Sequence, residues 1–224
     1  MGRPALAIGG VALIVAGAAV ALGWDWWPLS HERAETREEV TERISSVHVD
    51  NGSGDVHIRV EDTTTTSVHQ AFRYHGDQPD RAFTVARGQL VLAGCGDDCS
   101  VDYEVVVPRG ATVDGEVRSG DFVVSGAASV DLRAASGDIA VRDVTGAVTT
   151  STKSGDIEVF LAVPQDVRAE TSSGDVRIHV PADRYRVTGE TRSGARRVDV
   201  VEDPAAEHVL DVSTSSGDVA VVGA

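Results

Sequence analysis

The sequence predicts an all-β chain built as a β-solenoid or β-helix-like stack of short coils. Three observations predict it. The triplet Ser-Gly-Asp occurs six times, as Ser53-Gly54-Asp55, Ser119-Gly120-Asp121, Ser136-Gly137-Asp138, Ser154-Gly155-Asp156, Ser173-Gly174-Asp175 and Ser216-Gly217-Asp218; a seventh copy, Ser193-Gly194, carries Ala195 in place of the acid. From Gly120 onward the corner glycines lie 17, 18, 19, 20 and 23 residues apart, and a fixed corner at such a period marks a repeat architecture. Apolar residues alternate at period two on both sides of each corner, the pattern of half-buried strands. A single coil offers too few inward aliphatics to offset the ordering of its own backbone, so coils must share burial with their neighbours.

The bulk composition agrees. Hydrophobic residues make up 42% of the 224 residues but aromatics only 4%, which suits Val- and Ala-rich strands with thin, regular packing. A net charge of −15 opposes binding to nucleic acid and direct adhesion of the domain to anionic lipid head groups.

The N-terminus departs from that polarity. Residues 5–23 carry no charge, and in a helix they would rise about 28 Å, enough to cross a bilayer core. Arg3 precedes them and Trp24, Trp26 and Trp27 come directly after. This pattern places residues 1–4 as a cytoplasmic tip and the run as a transmembrane signal-anchor ending in an aromatic belt. The alternative is a cleaved signal peptide with Ala19-Val20-Ala21 as its small-residue site. Both readings export the remainder of the chain. Residues 24–43, rich in Glu, Arg and Thr, read as a charged stalk or a short charged helix.

The repeat domain is expected over residues 44–224. Residues 61–110 interrupt it as a less regular hairpin insertion, with longer strands at 68–74, 83–91 and 101–107. Inside the array one face carries Val117 and Ser119; Leu132, Ala134 and Ser136; Val148, Thr150, Thr152 and Ser154; and Val167, Ala169, Thr171 and Ser173. After the corners the apolar face resumes at Phe122, Ile139, Ile157, Val176 and Val219, while Arg118, Lys153, Arg192, Glu158 and Arg177 read as solvent-facing. Each coil is then two strands joined at the corner.

The corner glycines, Gly54, Gly120, Gly137, Gly155, Gly174, Gly194 and Gly217, are expected at positive φ. The acids would accept backbone N–H groups, and the serines, sharing the buried phase, would stack with each hydroxyl bonded to the next rung or to a backbone carbonyl. The rival reading is a Ca²⁺ ladder at Asp121, Asp138, Asp156 and Asp175, but calcium β-rolls need a second glycine and further oxygen ligands that the motif lacks. Cys95 and Cys99 frame Gly96-Asp97-Asp98 and suit a disulfide pinching the hairpin loop in an oxidising compartment. Two thiolates without His or further Cys fall short of a zinc set.

The seven histidines, at 31, 48, 57, 69, 75, 179 and 208, lack metal-ligand spacing and read as surface residues. No nucleophile elbow or phosphate-binding glycine loop occurs. Tyr103 and Tyr185 are too isolated to form a sugar platform. No catalytic residue and no cofactor are therefore expected.

The recurring Ser-Gly-Asp-(Val/Ile)-x-(Val/Ile) corner, preceded at its first copy by Asp50-Asn51-Gly52, resembles the adhesin-like family of bacterial β-strand-repeat envelope proteins, a domain of unknown function. The resemblance covers about residues 44–224, and the Trp-rich anchor and Ala/Val/Arg/Asp-heavy composition are similar to actinobacterial members. It implies a β-solenoid-like domain displayed at the cell envelope, with some relatives linked to envelope-stress sensing or adhesion and no catalytic residues attached to the motif.

The expected function is thus a structural or interaction module, held to the membrane by its N-terminal helix and contacting an envelope protein or cell-wall partner, or a second copy of itself. A Ca²⁺-binding repeat protein is the alternative, and a glycan-acting envelope enzyme a more distant one. The last corner, Ser216-Gly217-Asp218, leaves only six residues after it; this predicts an uncapped final coil whose strand edges are open to pairing.

Overall fold

The computed structural model describes residues 32–223. Residues 1–31, which include the expected anchor and the first part of the expected stalk, lie outside the described residues. Among the described residues the secondary structure is entirely β, in 21 strands. In chain order the first are β1 (Glu32–Val40), β2 (Ser46–Ser53), β3 (Val56–Glu61), β4 (Thr66–Tyr74), β5 (Phe83–Ala86), β6 (Gln89–Ala93) and β7 (Cys99–Pro108). The regular array comprises β8 (Thr112–Ser119), β9 (Phe122–Ser125), β10 (Val130–Ser136), β11 (Ile139–Arg142), β12 (Val148–Ser154), β13 (Ile157–Phe160), β14 (Val167–Ser173) and β15 (Val176–Val180). The last are β16 (Arg184–Thr188), β17 (Thr191–Ser193), β18 (Arg196–Asp199), β19 (Val201–Glu202), β20 (Val209–Ser216) and β21 (Val219–Gly223).

These strands form two facing sheets. The first runs β1-β4-β7-β3-β9-β11-β13-β15-β21-β18; the second runs β19-β16-β20-β14-β12-β10-β8-β2-β6-β5, with β17 also paired to β20. Each coil enters by a strand of the second sheet, turns at its Ser-Gly-Asp corner and leaves by a strand of the first. Neighbouring coils pair in parallel with one register throughout. Val113, Val130, Val148, Val167 and Leu210 form one continuous row, and Phe122, Ile139, Ile157, Val176 and Val219 form its counterpart on the facing sheet.

That single register results from the alternation, because a slip by one residue would turn every Val and Ile of a strand to solvent. The inward rows pack into one core in which Val56, Phe122, Val124, Val159, Val176 and Ile178 are fully buried. Phe72, Phe83 and Tyr103 are buried toward one end of the stack and Tyr185 at the other, with Phe122 buried between them.

Stacking order departs from chain order at both ends. The coil made by β6 and β7 packs outside β2 and β3, and the chain then returns to lay β8 and β9 on their other side. Likewise β20 and β21 insert between β14/β15 and the coil of β16, β17 and β18. The expected uncapped final coil is therefore corrected: β21 is hydrogen-bonded on both edges, and the outermost strand on that side of the first sheet is β18.

Two further expectations change. Residues 32–40 of the expected stalk form strand β1, paired antiparallel to β4 from Glu32↔Tyr74 to Val40↔Thr66. Its half-buried positions alternate with exposed ones, and its charges blunt an edge that would otherwise invite pairing. In the 61–110 region, the strand expected over 83–91 is broken at Arg87-Gly88, both at positive φ, into the hairpin β5–β6. Strands β4 and β7 pair antiparallel, which closes the parallel array at this end.

The corner glycines carry the tightest constraint. Gly155 has φ +141°, and a Cβ there would lie 2.1 Å from the Gly137 carbonyl oxygen of the coil below. Both conditions exclude any L side chain. Gly155→Ala is expected to lower unfolding free energy by about 3 kcal/mol in urea denaturation. The adjacent exposed Ser154→Ala should stay within about 0.5 kcal/mol. Equal effects would refute the close-approach account.

Candidate functional site

The corners stack into one edge of the molecule, and there each coil is tied to the next by a side chain. Asp121 N–H donates to Asp55 Oδ1 (2.9 Å), Asp138 N–H to Asp121 (3.0 Å), Asp156 N–H to Asp138 (2.8 Å), Asp175 N–H to Asp156 (2.8 Å) and Asp218 N–H to Asp175 (2.9 Å). The reverse direction is carried by the backbone: Gly120 N–H donates to Ser136 O (3.1 Å), and Gly155 N–H to Ser173 O (2.9 Å). Each interface is thus clamped twice, and the carboxylate acceptors make their half the stronger kind of hydrogen bond.

The ends of this ladder explain its irregular members. Asp55 N–H donates to Asp102 Oδ1 (3.0 Å), so an acid of β7 outside any Ser-Gly-Asp triplet supplies the first rung. At the far end Ala195 N–H donates to Asp218 Oδ1 (2.8 Å). Ala195 belongs to the outermost coil, where among the described residues no further corner amide awaits an acceptor. Among them, position 195 is the one Ser-Gly corner at which a carboxylate would have nothing in the ladder to bind.

The serines do not take the buried role expected of them. Ser119, Ser136, Ser154, Ser173, Ser193 and Ser216 are exposed. The hydroxyl row lies two residues earlier. Thr171 Oγ1 donates to Gly155 O (3.0 Å), Thr214 to Gly174 O (3.0 Å) and Thr191 to Gly217 O (2.8 Å). In the first coil the buried Asn51 fills the same row, its Nδ2 reaching Val101 O at 3.0 Å and Gly54 O at 3.2 Å. The corner swings the serine outward, while the threonine still points along the inner face.

Asp121, Asp138, Asp156 and Asp175 therefore each spend Oδ1 on a backbone amide. Among the described residues no group of three or more His, Cys, Asp or Glu side chains is placed to hold a metal ion. His48 Nδ1 lies 2.6 Å from Asp114 Oδ2, and His69 sits 3.7 Å from Glu35 and 3.8 Å from Glu104.

Cys95 and Cys99 are joined in a disulfide. It closes not a hairpin but the first corner of the stack, where the chain crosses from β6 to β7. Seven residues separate the paired positions Val49 and Val56, whereas eleven separate their partners Leu92 and Tyr103. The extra four residues form the loop that the disulfide cinches. Beneath it the buried Tyr103 hydroxyl lies 2.7 Å from both Ala82 O and Ala93 O, and burial pushes its phenol pKa up.

The two outer sheet faces carry the side chains free to meet a partner. On the first sheet Arg142, Phe160 and His179 form one row. The Phe160 and His179 rings stack at 4.2 Å, with the Arg142 guanidinium 4.2 Å over Phe160. On the second sheet an open groove of about 580 Å³ crosses β8, β10, β12 and β14. Arg118, Arg133 and Lys153 surround the small Ala135, with Glu116 and Glu170 at its margins. Alternation in the sequence marks Arg118 and Lys153 as solvent-facing but gives no sign of the groove, which exists only because successive coils align in register.

The geometry defines a class: a β-solenoid-like domain of two parallel sheets clamped along a glycine-acid corner. Residues 41–222 match the Toastrack DUF4097 family model, and the chain belongs to that family. Among solved structures it is similar to a candidate cell adhesion protein from Clostridium sporogenes, at 10% identity and TM-score 0.54, covering 86% of this chain and 100% of that one. A candidate adhesin from Bacteroides fragilis matches at 10% identity and TM-score 0.45, covering 85% and 97%. A comparison with curated proteins yields no match. The likeness to the Clostridium protein is one of fold.

Two outcomes check the corner account. Asp156→Ala should cost about 1–2 kcal/mol and speed hydrogen exchange at the Asp175 amide, whereas Ala195→Asp should change stability by less than about 0.5 kcal/mol. Comparable losses at both positions would break the ladder account. Replacing both Cys95 and Cys99 by Ala should lower stability by about 2 kcal/mol in denaturant titration; no change would mean that the loop is held by its other contacts.

Proposed function

We propose that this protein is a membrane-anchored, extracytoplasmic β-repeat module with a structural, adhesin-like interaction role at a bacterial cell envelope. The observation that carries the reading is the doubly clamped corner ladder. It runs without interruption from Asp102 to Ala195 and makes the two sheets a stiff platform whose outer faces hold fixed rows of charged and polar side chains. Such a platform suits contact with an extended envelope partner, whose repeating groups can meet repeating rungs.

Three further features support it. The uncharged run of residues 5–23, with Arg3 before it and tryptophans after, suits a signal-anchor. The Cys95–Cys99 disulfide suits an oxidising compartment outside the cytoplasm. The fold is shared with a candidate cell adhesion protein.

The test is made in intact cells of an expressing bacterium. The full chain is expected in the membrane fraction, with the domain digested by protease added outside and both cysteines resistant to alkylation until reduced. Cross-linking from the outer face of the second sheet should capture envelope components. A protease-protected chain with free thiols would overturn the reading.

A further inference from the structure

We propose that the groove on the outer face of the second sheet is a binding site for oxyanions borne at intervals along an extended polyanion. This proposal rests on the interaction role argued above and names the site and ligand chemistry for it.

The strand register places the cations. Val117, Ala134 and Thr152 are successive partners across β8, β10 and β12, as are Ser119, Ser136 and Ser154. The residues between them, Arg118, Ala135 and Lys153, therefore occupy three consecutive rungs on the outward face. With about 4.8 Å per rung, the Arg118 and Lys153 backbones stand about 9.6 Å apart. Ala135 between them is too short to fill the gap, so the two long side chains flank a notch.

Arg133 completes the arrangement from the neighbouring outward row, on the same strand as Ala135. Glu116, Arg133, Ser151 and Glu170 form that row. Three cations thus line a groove of about 580 Å³ whose floor carries small side chains. This happens on a chain with a net charge of −15.

The pairing pattern shows which charges are available. Arg133 lies 3.1 Å from Asp131 Oδ1 on its own strand, and Glu170 lies 3.7 Å from Arg168. Among the described residues neither Arg118 nor Lys153 has an ion-pair or hydrogen-bond partner, although the exposed Glu116 shares their groove. The two free cations stand at the rim on either side of the notch. Arg133 lines the groove beside them as a charge already paired with Asp131, on the side of it away from Ala135. An Arg fork suits the paired oxygens of a phosphate or carboxylate, and a Lys adds a point charge.

The groove runs along the stack axis, crossing strands rather than tracking one. A ligand lying in it would meet cations about two rungs apart, so a linear polymer with a matching interval gains two contacts where a single small anion gains one. Glu116 and Glu170 at the margins disfavour a continuous sheet of negative charge and favour spaced anionic groups.

The test uses the full chain in a neutral detergent and three probes: sodium polyphosphate, polygalacturonate and neutral dextran. Isothermal titration at low salt should show binding to one or both polyanions and none to dextran. Which polyanion binds tells phosphate from carboxylate as the recognised oxyanion. With two charge contacts, log K should fall against log salt with a slope of about −1.4.

Arg118→Glu with Lys153→Glu should weaken that binding at least tenfold. Arg33→Glu with Arg59→Glu makes the same change of net charge away from the groove and should leave it within twofold. Ala135→Leu, which fills the notch without altering charge, should weaken binding even if the double reversal folds poorly. Circular dichroism checks the folding of each variant. Equal binding by the groove and control variants, or no binding to either polyanion, would overturn the proposal. If envelope cross-linking persisted in the groove variants, the interaction role would stand while this site for it fell.

Discussion

Each coil hands the next a carboxylate oxygen, and the next coil's corner amide donates to it. This contact sits beside a glycine carbonyl so close to the glycine of the neighbouring coil that no Cβ fits between them. The two features are interdependent. The positive φ of the glycine turns the chain from one sheet into the other, and the acid after it then projects along the stack axis toward its neighbour. A row of exposed carboxylates about 4.8 Å apart would by itself repel. Here each is compensated by an N–H dipole from the coil above. The strands leave this edge in phase, which agrees with the register that the inward aliphatic rows impose on both sheets.

The ends show how such a stack is finished. A parallel array has two open edges per sheet, and each is a template for unwanted pairing. At one end the chain adds the antiparallel strands β4 and β1, with Glu and Arg along the outermost strand and a cluster of aromatic side chains beneath. At the other the ladder stops at Ala195, which can donate to Asp218 but offers no acceptor to a further coil. The outermost strand there, β18, presents Arg196 and Arg197. In both places the chain overshoots and threads back, so that β2/β3 and β20/β21 are each held between two neighbours.

Because the corner and the inward rows carry the stacking, the outward rows can vary at little energetic cost. They differ from coil to coil where the corners do not. The row through Arg118, Ala135 and Lys153 alternates long and short side chains, and that through Arg142, Phe160 and His179 stacks a cation and a second ring on Phe160. A stiff frame with variable outer rows is what an interaction module requires. The groove on the second sheet is the place where such variation gathers positive charge on an acidic molecule.

The period of the corners, the positive-φ glycines and the phase of the buried aliphatics were legible in the sequence, because each depends only on residues a few positions apart. The pairing of Cys95 with Cys99 was legible for the same reason. Other features needed the fold. That Asp102 begins the ladder and Ala195 ends it depends on which coils are neighbours in space, and the chain's return at both ends makes that order different from the order in sequence. The outward turn of the serines, with Thr171 and Thr214 bonding in their place, depends on the bend at the corner, which an alternating pattern cannot express. The strand nature of residues 32–40 depends on β4 lying alongside, since its charged sequence has no apolar face strong enough to declare it. Local spacing determined what each coil is; contacts between residues tens of positions apart decided how the coils are ordered, closed and equipped with a groove.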